Sequence, residues 1–241
     1  MATKLKELVN LIEPGTPLTT NDLAAMGISA DLAVHYVKAG WLTRLARGVY
    51  CRPNAPLDQN AALLLLQRRI PGLHVGGKSA LEWYGIRHYV KQTPILNLYG
   101  WSAAQLPPWF TSRFSATYHR KRIFTETVDN LLYVGNFENR MNGPAISAPE
   151  RALLEMLSEI GVRQPLTEAE EILEGTYTFR AGILRTLLEN CTSVKTVRLC
   201  IQLGNSKSLP WAKKLNPADL PTGSKTDWIS RSANGLMVLK P

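Results

Sequence analysis

The first fifty residues are cut into short segments by residues that stop helices, and this punctuation limits the possible folds more than any other feature. Apolar Leu5, Leu8, Val9, Leu11 and Ile12 recur at helical spacing until Glu13-Pro14-Gly15, which cannot continue a helix. Thr19 or Thr20 then offers a cap, Asp22 suits a first helical turn, and Leu23, Ala24 and Met26 supply an apolar face that ends at Gly27. Ser29 caps a third segment with Asp31 in its first turn, running to Ala39 and closed by Gly40. From Trp41 to Pro53, two short β-prone runs flank a turn ending in Gly48. Helix, helix, turn, helix, hairpin is the order of a winged helix-turn-helix, placed at residues 1–55.

Pro53-Asn54-Ala55-Pro56 reads as a linker, because two prolines in four residues interrupt both helix and sheet. The expected fold class is α+β: the winged helix-turn-helix, then a larger mixed α/β domain over residues 56–241 with a helical C-terminal part. Helices are expected from Leu57 to Ile70 and Lys78 to Tyr84, and strands at Ile95–Tyr99, Phe114–His119 and Leu131–Val134. Helical pattern returns at Glu150–Ile160, Thr167–Leu173, Ala181–Asn190 and Ser193–Leu203. Residues 205–241, with Pro210, Pro217, Pro221 and Gly223, read as largely irregular, packed on the domain through Trp211 and Trp228.

The 241 residues include 45% hydrophobic and 20% charged side chains, which fits a globular protein rather than a disordered one. Cys51, Cys191 and Cys200 are odd in number, far apart and without histidines at metal-ligand spacing, so a reduced, cytoplasmic setting is expected. The N-terminus lacks the apolar core of a signal peptide, and no stretch reaches membrane-spanning length. The net charge of +9 favours a polyanionic partner. Residues 56–145 are the most basic part, with ten Lys/Arg against five Asp/Glu.

Double-stranded DNA is the expected partner of the first domain. At 100° per residue, Leu32, Ala33, Tyr36 and Val37 share one side of the third helix, and Asp31, Val34, His35 and Lys38 the other. The second set would face a major groove, where Val34 can meet a thymine methyl, His35 a base edge or phosphate, and Lys38 a phosphate. Ser29 caps that helix. Arg44, Arg47 and Arg52 on the following hairpin suit phosphate contacts, which fix register without reading sequence. The competing reading is a surface helix and hairpin that are polar for solubility alone.

The run Tyr36-Val37-Lys38-Ala39-Gly40-Trp41-Leu42, followed by Arg44-Leu45-Ala46-Arg47-Gly48-Val49-Tyr50, resembles the N-terminal domain of AbiEi-family antitoxins of type IV toxin–antitoxin systems. The resemblance continues through Gly76-Gly77-Lys78-Ser79-Ala80-Leu81-Glu82-Trp83-Tyr84-Gly85 and Ser147-Ala148-Pro149-Glu150-Arg151-Ala152-Leu153-Leu154-Glu155-Met156-Leu157. It implies a winged helix that represses its own operon and a C-terminal part that counters a nucleotidyltransferase-like toxin, whether or not the two proteins touch. Two copies are expected to associate on DNA. A plain winged-helix regulator without antitoxin activity is the alternative.

Gly72-Leu73-His74-Val75-Gly76-Gly77-Lys78-Ser79 matches the phosphate-loop pattern, whose amides and lysine hold nucleotide phosphates. Its context argues against that chemistry, because Gln67-Arg68-Arg69 and Pro71 stand where a buried strand should precede it, and no strand end offers a magnesium-binding aspartate. Anion binding at the exposed amides of a helix start stays open. His119-Arg120-Lys121-Arg122 is the densest basic run; Arg120, Lys121 and Arg122 either form a second nucleic-acid contact or are simply solvated. Glu168, Glu170, Glu171 and Glu174 spread around a helix and are expected to be structural. No nucleophile stands beside His35, His74, His88 or His119 in the sequence, so no catalytic residue, cofactor or metal is expected.

Overall fold

The computed structural model describes residues 12–86, 95–125, 134–136, 143–232 and 235–239. The expected first helix lies outside these residues, except for Ile12. The chain then forms β1 (Leu18–Thr19), α1 (Thr20–Ala25), α2 (Ala30–Lys38), β2 (Thr43–Ala46) and β3 (Val49–Cys51), the three strands making an antiparallel sheet in the order β1-β3-β2. Ile12, Leu18, Leu23, Ile28, Ala33, Tyr36, Leu42 and Tyr50 close a small core between these elements. Of the apolar face expected on α1, only Leu23 is buried; Ala24 and Met26 are exposed, because a six-residue helix presents little more than one residue to its partner.

The body follows: α3 (Gln59–Arg69), β4 (His74–Val75), α4 (Gly77–Trp83), β5 (Leu96–Gly100), α5 (Pro108–Thr111), β6 (Ala116–Arg120), β7 (Val134–Asn136) and β8 (Ala145–Ser147). Then come α6 (Pro149–Ser158), α7 (Leu166–Leu173), α8 (Ala181–Glu189), α9 (Val194–Ser206), β9 (Trp228–Ser232) and β10 (Gly235–Leu239). Five strands form one mixed sheet in the order β6-β5-β4-β8-β7; β5 and β6 run parallel, as do β4 and β8. The strands expected at Ile95–Tyr99 and Phe114–His119 thus form one edge. Of the third, only Val134 lies within the described residues, where it opens β7. The sheet's centre, β4 beside β8, is absent from the sequence reading because two- and three-residue strands carry no readable alternation.

The two parts share packing. Val49 on β3 belongs to the large core of the body, and Leu45 and Ala46 pack against it. The Asp58 N–H donates to the Gly15 carbonyl at 2.9 Å, and the Asp58 carboxylate caps α3 by accepting the Ala61 N–H at 2.7 Å.

Helix α6 runs through the middle of the body, and residues 150–160 are all buried. Its charged residues are compensated by neighbours. Glu150 accepts the Arg180 N–H at 2.9 Å and two guanidinium bonds at 2.8 Å. Glu155 lies 2.9 Å from His74 Nε2 and accepts from Arg151 Nε at 2.9 Å, from the Gly77 N–H at 3.0 Å and from Ser147 Oγ at 2.9 Å. Glu159 pairs with Lys121 Nζ at 2.5 Å, His119 Nδ1 at 3.4 Å and Arg163 Nη1 at 3.5 Å, as ion pairs rather than aligned hydrogen bonds. Lys121 and Lys195 also donate to the Ser158 carbonyl at the helix end, at 3.0 and 3.2 Å, where cations suit the helix dipole.

The tail is more ordered than the sequence suggests. Trp211 is buried against Gly204, with its indole N–H on Thr176 Oγ1 at 3.2 Å. The side chain of Trp228 lies outside what the structure describes. Arg198, itself buried, donates to the carbonyls of Thr222 at 2.6 Å, Thr226 at 2.8 Å and Leu239 at 3.1 Å, and to that of Ser224. One guanidinium thus gathers four carbonyls of the tail, which ends in the antiparallel hairpin β9–β10.

Burial pushes the Glu155 and Glu159 carboxyls up, but the opposing charges prevail. His74 and Arg151 bring Glu155 down to about 2, and His119 and Lys121 do the same for Glu159. A depressed carboxyl contributes stability that is fully present above its unfolded value and lost as pH falls through the folded one. Stability should therefore decline between about pH 4.5 and pH 2, as read by circular dichroism. Glu155→Gln should flatten that decline and cost about 3–5 kcal/mol at neutral pH, because it leaves the buried Arg151 guanidinium uncompensated.

Candidate nucleic-acid interface

Helix α2 begins where Ser29 Oγ accepts the Leu32 N–H at 3.2 Å, in the extended conformation expected of a cap. Ala33 and Tyr36 are buried and Leu32 and Val37 are packed against the small core. Asp31, Val34, His35 and Lys38 are exposed; Val34, an apolar side chain, is 46% open to solvent. The division into buried and exposed sides matches the helical wheel residue for residue.

The preceding helix is set by a capping box: the Asp22 N–H donates to Thr19 Oγ1 at 3.1 Å and the Thr19 N–H to Asp22 Oδ2 at 2.7 Å. The wing turn rests on the start of this helix, because the Thr20 N–H donates to the Gly48 carbonyl at 3.2 Å. A register shift between Arg44 and Ala46 bends β2 at that end. Arg44 is exposed and its Nε donates to the Ala46 carbonyl at 3.3 Å. Arg47 is exposed at the turn, and neither it nor Lys38 makes a bond or ion pair among the described residues. Arg52 is half-buried and lines a hollow of about 410 Å³ with Pro14, Gly40, Trp41 and Pro53.

The basic run of the body divides along its strand. His119 and Lys121 turn inward to Glu159, while Arg120 and Arg122 are exposed around Trp101. Arg120 Nε donates to the Trp101 carbonyl at 3.3 Å, and the Arg122 guanidinium stands 5.8 Å from the Trp101 ring centroid. Alternation of side chains across β6 explains the split between His119 and Arg120; Lys121 and Arg122 follow the strand's end.

The phosphate-loop pattern serves the interior instead. Its strand, β4, lies inside the pattern, and the helix start that would hold a phosphate holds the Glu155 carboxylate through the Gly77 N–H. A Cβ on Gly76 would collide with Glu155 Oε2, and one on Gly77 would stand 2.6 Å from Tyr99 Oη. Lys78 pairs with Glu168, and Glu174 with Lys207 at 2.8 Å. Among the described residues no three His, Cys, Asp or Glu side chains gather as a metal site, and no helix is long and apolar enough to cross a membrane.

Missed by the sequence reading is Arg68, whose guanidinium meets the Asp22 carboxylate at 3.1 and 3.4 Å. The two lie 46 positions apart, and no local pattern links them.

Ser29→Ala should cost about 1 kcal/mol in denaturant unfolding, the usual worth of a lost helix cap. Gly76→Ala should cost about 1–3 kcal/mol through overpacking against Glu155 and Tyr99.

Comparison with known proteins divides the chain further along, between residues 92 and 93. Residues 1–92 match the family described as transcriptional regulator, AbiEi antitoxin N-terminal domain. Residues 93–240 match the one described as transcriptional regulator, AbiEi antitoxin, type IV TA system. No curated protein sequence matches the chain. Among solved structures, the RV2827C protein from Mycobacterium tuberculosis is similar in fold, with a TM-score of 0.58 at 15% identity, over 89% of this chain and 84% of that one. This chain belongs to the AbiEi antitoxin family of transcriptional regulators of type IV toxin–antitoxin systems.

Proposed function

We propose that the protein is a cytoplasmic, DNA-binding repressor of its own operon and the antitoxin of that operon, neutralising a nucleotidyltransferase-like toxin. The observation that carries the DNA-binding reading is the exposed face of α2 beside the wing: Val34, His35 and Lys38 are open on a helix capped by Ser29, with Arg44 and Arg47 on the adjoining hairpin. Val34 and His35 read base edges, and Lys38, Arg44, Arg47 and Arg52 hold phosphates. Exposed Arg120 and Arg122 form a second nucleic-acid contact on the body, whereas Lys121, drawn inward to Glu159, takes no part in it. The winged helix is residues 1–55, and residues 56–241 are the antitoxin part. One small winged helix covers few base pairs, so two copies associate on a repeated half-site.

Salt titration of promoter binding tests the interface. Replacing Lys38, Arg44 and Arg47 together by Ala should lower the log–log salt slope by about 0.9 for each lost phosphate contact and weaken binding to all sequences alike. Val34→Ala and His35→Ala should instead change discrimination among operator variants. An unchanged slope in the triple variant would remove these residues from the interface. Because Val49 belongs to the core of the body, the two activities are better separated by substitution than by truncation. The triple variant should lose repression of a promoter reporter yet still rescue growth when the toxin is induced. Failure to rescue at matched soluble levels would make antitoxicity dependent on DNA binding.

A further inference from the structure

We propose that the body completes the DNA interface: Arg68, at the end of α3, neutralises Asp22 and faces the phosphate backbone beside the first helix of the helix-turn-helix. The inference rests on the DNA-binding reading and extends it to a residue outside the winged helix.

When a recognition helix enters the major groove, the helix before it crosses the DNA backbone. Here that helix is α1, and its first turn carries an acid, Asp22. Left uncompensated, this carboxylate would repel the phosphates. Arg68 compensates it through two bonds, Nη1 to Oδ1 and Nη2 to Oδ2, while its side chain stays 57% exposed. A guanidinium has five N–H donors in a planar fork. Asp22 takes two, and Arg68 makes no other bond among the described residues, so its outer donors are open to a phosphate oxygen.

Further exposed cations stand on the neighbouring elements. Thr20, at the start of α1, bonds the wing turn at Gly48, next to exposed Arg47, and Arg69 is exposed beside Arg68. Helix α3, which carries Arg68, is held in place. Leu63, Leu65 and Leu66 anchor α3 in the core, and the Gln67 amide exchanges two hydrogen bonds with the Ala145 backbone, at 3.1 and 2.9 Å. A tether between the two parts needs no help from Arg68, since exposed ion pairs contribute little to stability, and Val49 and the Asp58–Gly15 bond already join them.

The full-length protein is titrated with salt on promoter DNA and on an unrelated duplex, as Arg68→Ala, Asp22→Asn and Lys38→Ala, with melting curves as the check on folding. Arg68→Ala should weaken binding to both duplexes and lower the salt slope by about 0.9, one phosphate contact. Asp22→Asn keeps an oxygen for the Thr19 N–H and removes the negative charge, so it should tighten binding to both. A tether would respond otherwise, because both substitutions break the same pair. Shifts in the same direction, or no shift in either, overturn the proposal. Lys38→Ala separates the two levels of inference: if it lowers the slope and Arg68→Ala does not, the Arg68 assignment alone fails, and if neither does, the DNA-binding reading fails with it.

Discussion

The body is organised around a carboxylate that has no access to water. An ionised side chain in the interior is tolerated only when neighbouring donors replace its hydration, and Glu155 draws those donors from β4 through His74, from the start of α4 through Gly77, from the end of β8 through Ser147, and from its own helix through Arg151. Each element must then lie at a fixed distance from α6. The glycines at positions 76 and 77 follow from the same requirement, because any side chain there would occupy the space of Glu155 or Tyr99. A pattern that elsewhere cradles a nucleotide phosphate here cradles an anion of the protein itself, by the same attraction between carboxylate and helix start.

The same device recurs where packing alone would leave polar groups stranded. Glu159, with its cationic partners, sits just past the end of α6, Glu150 ties the start of that helix to the segment before α8, and Arg198 collects the carbonyls of the tail. Arg151 also stacks over Phe124, its guanidinium 4.8 Å from the ring centroid. Removing the exposed cation Arg180 would leave Glu150 buried and charged, which is costly. These networks specify a single arrangement of short elements that propensity alone would leave undefined.

The winged helix contrasts with this interior. Among the described residues its own core has eight buried side chains, and it gains support by setting Val49 into the core of the body. On its outer side Lys38 and Arg47 have no side-chain partners among the described residues, whereas the body's basic run spends His119 and Lys121 on Glu159. Exposed cations of this kind suit an external polyanion, whose condensed counterions they displace. The docking of hairpin on body also means that the orientation of α2 is set by the whole molecule.

The segmentation of the N-terminal part was legible from residues alone. Ser29, Gly40 and the turn at Gly48 act through bonds spanning a few positions, so their effect is written locally, and the exposed set Asp31, Val34, His35 and Lys38 follows from helical period once the cap is placed. The same holds for α3 and for α6 to α9, whose apolar spacing extends over two turns or more. Tertiary structure alone decided the centre of the sheet, the use of the phosphate-loop glycines, the inward turn of Lys121, the ordered tail and the pairing of Arg68 with Asp22. These depend on groups far apart in sequence meeting in space, 24 positions for Arg198 and Thr222 and 81 for His74 and Glu155. A two-residue strand has no period to read, and a buried charge announces no partner until the fold supplies one.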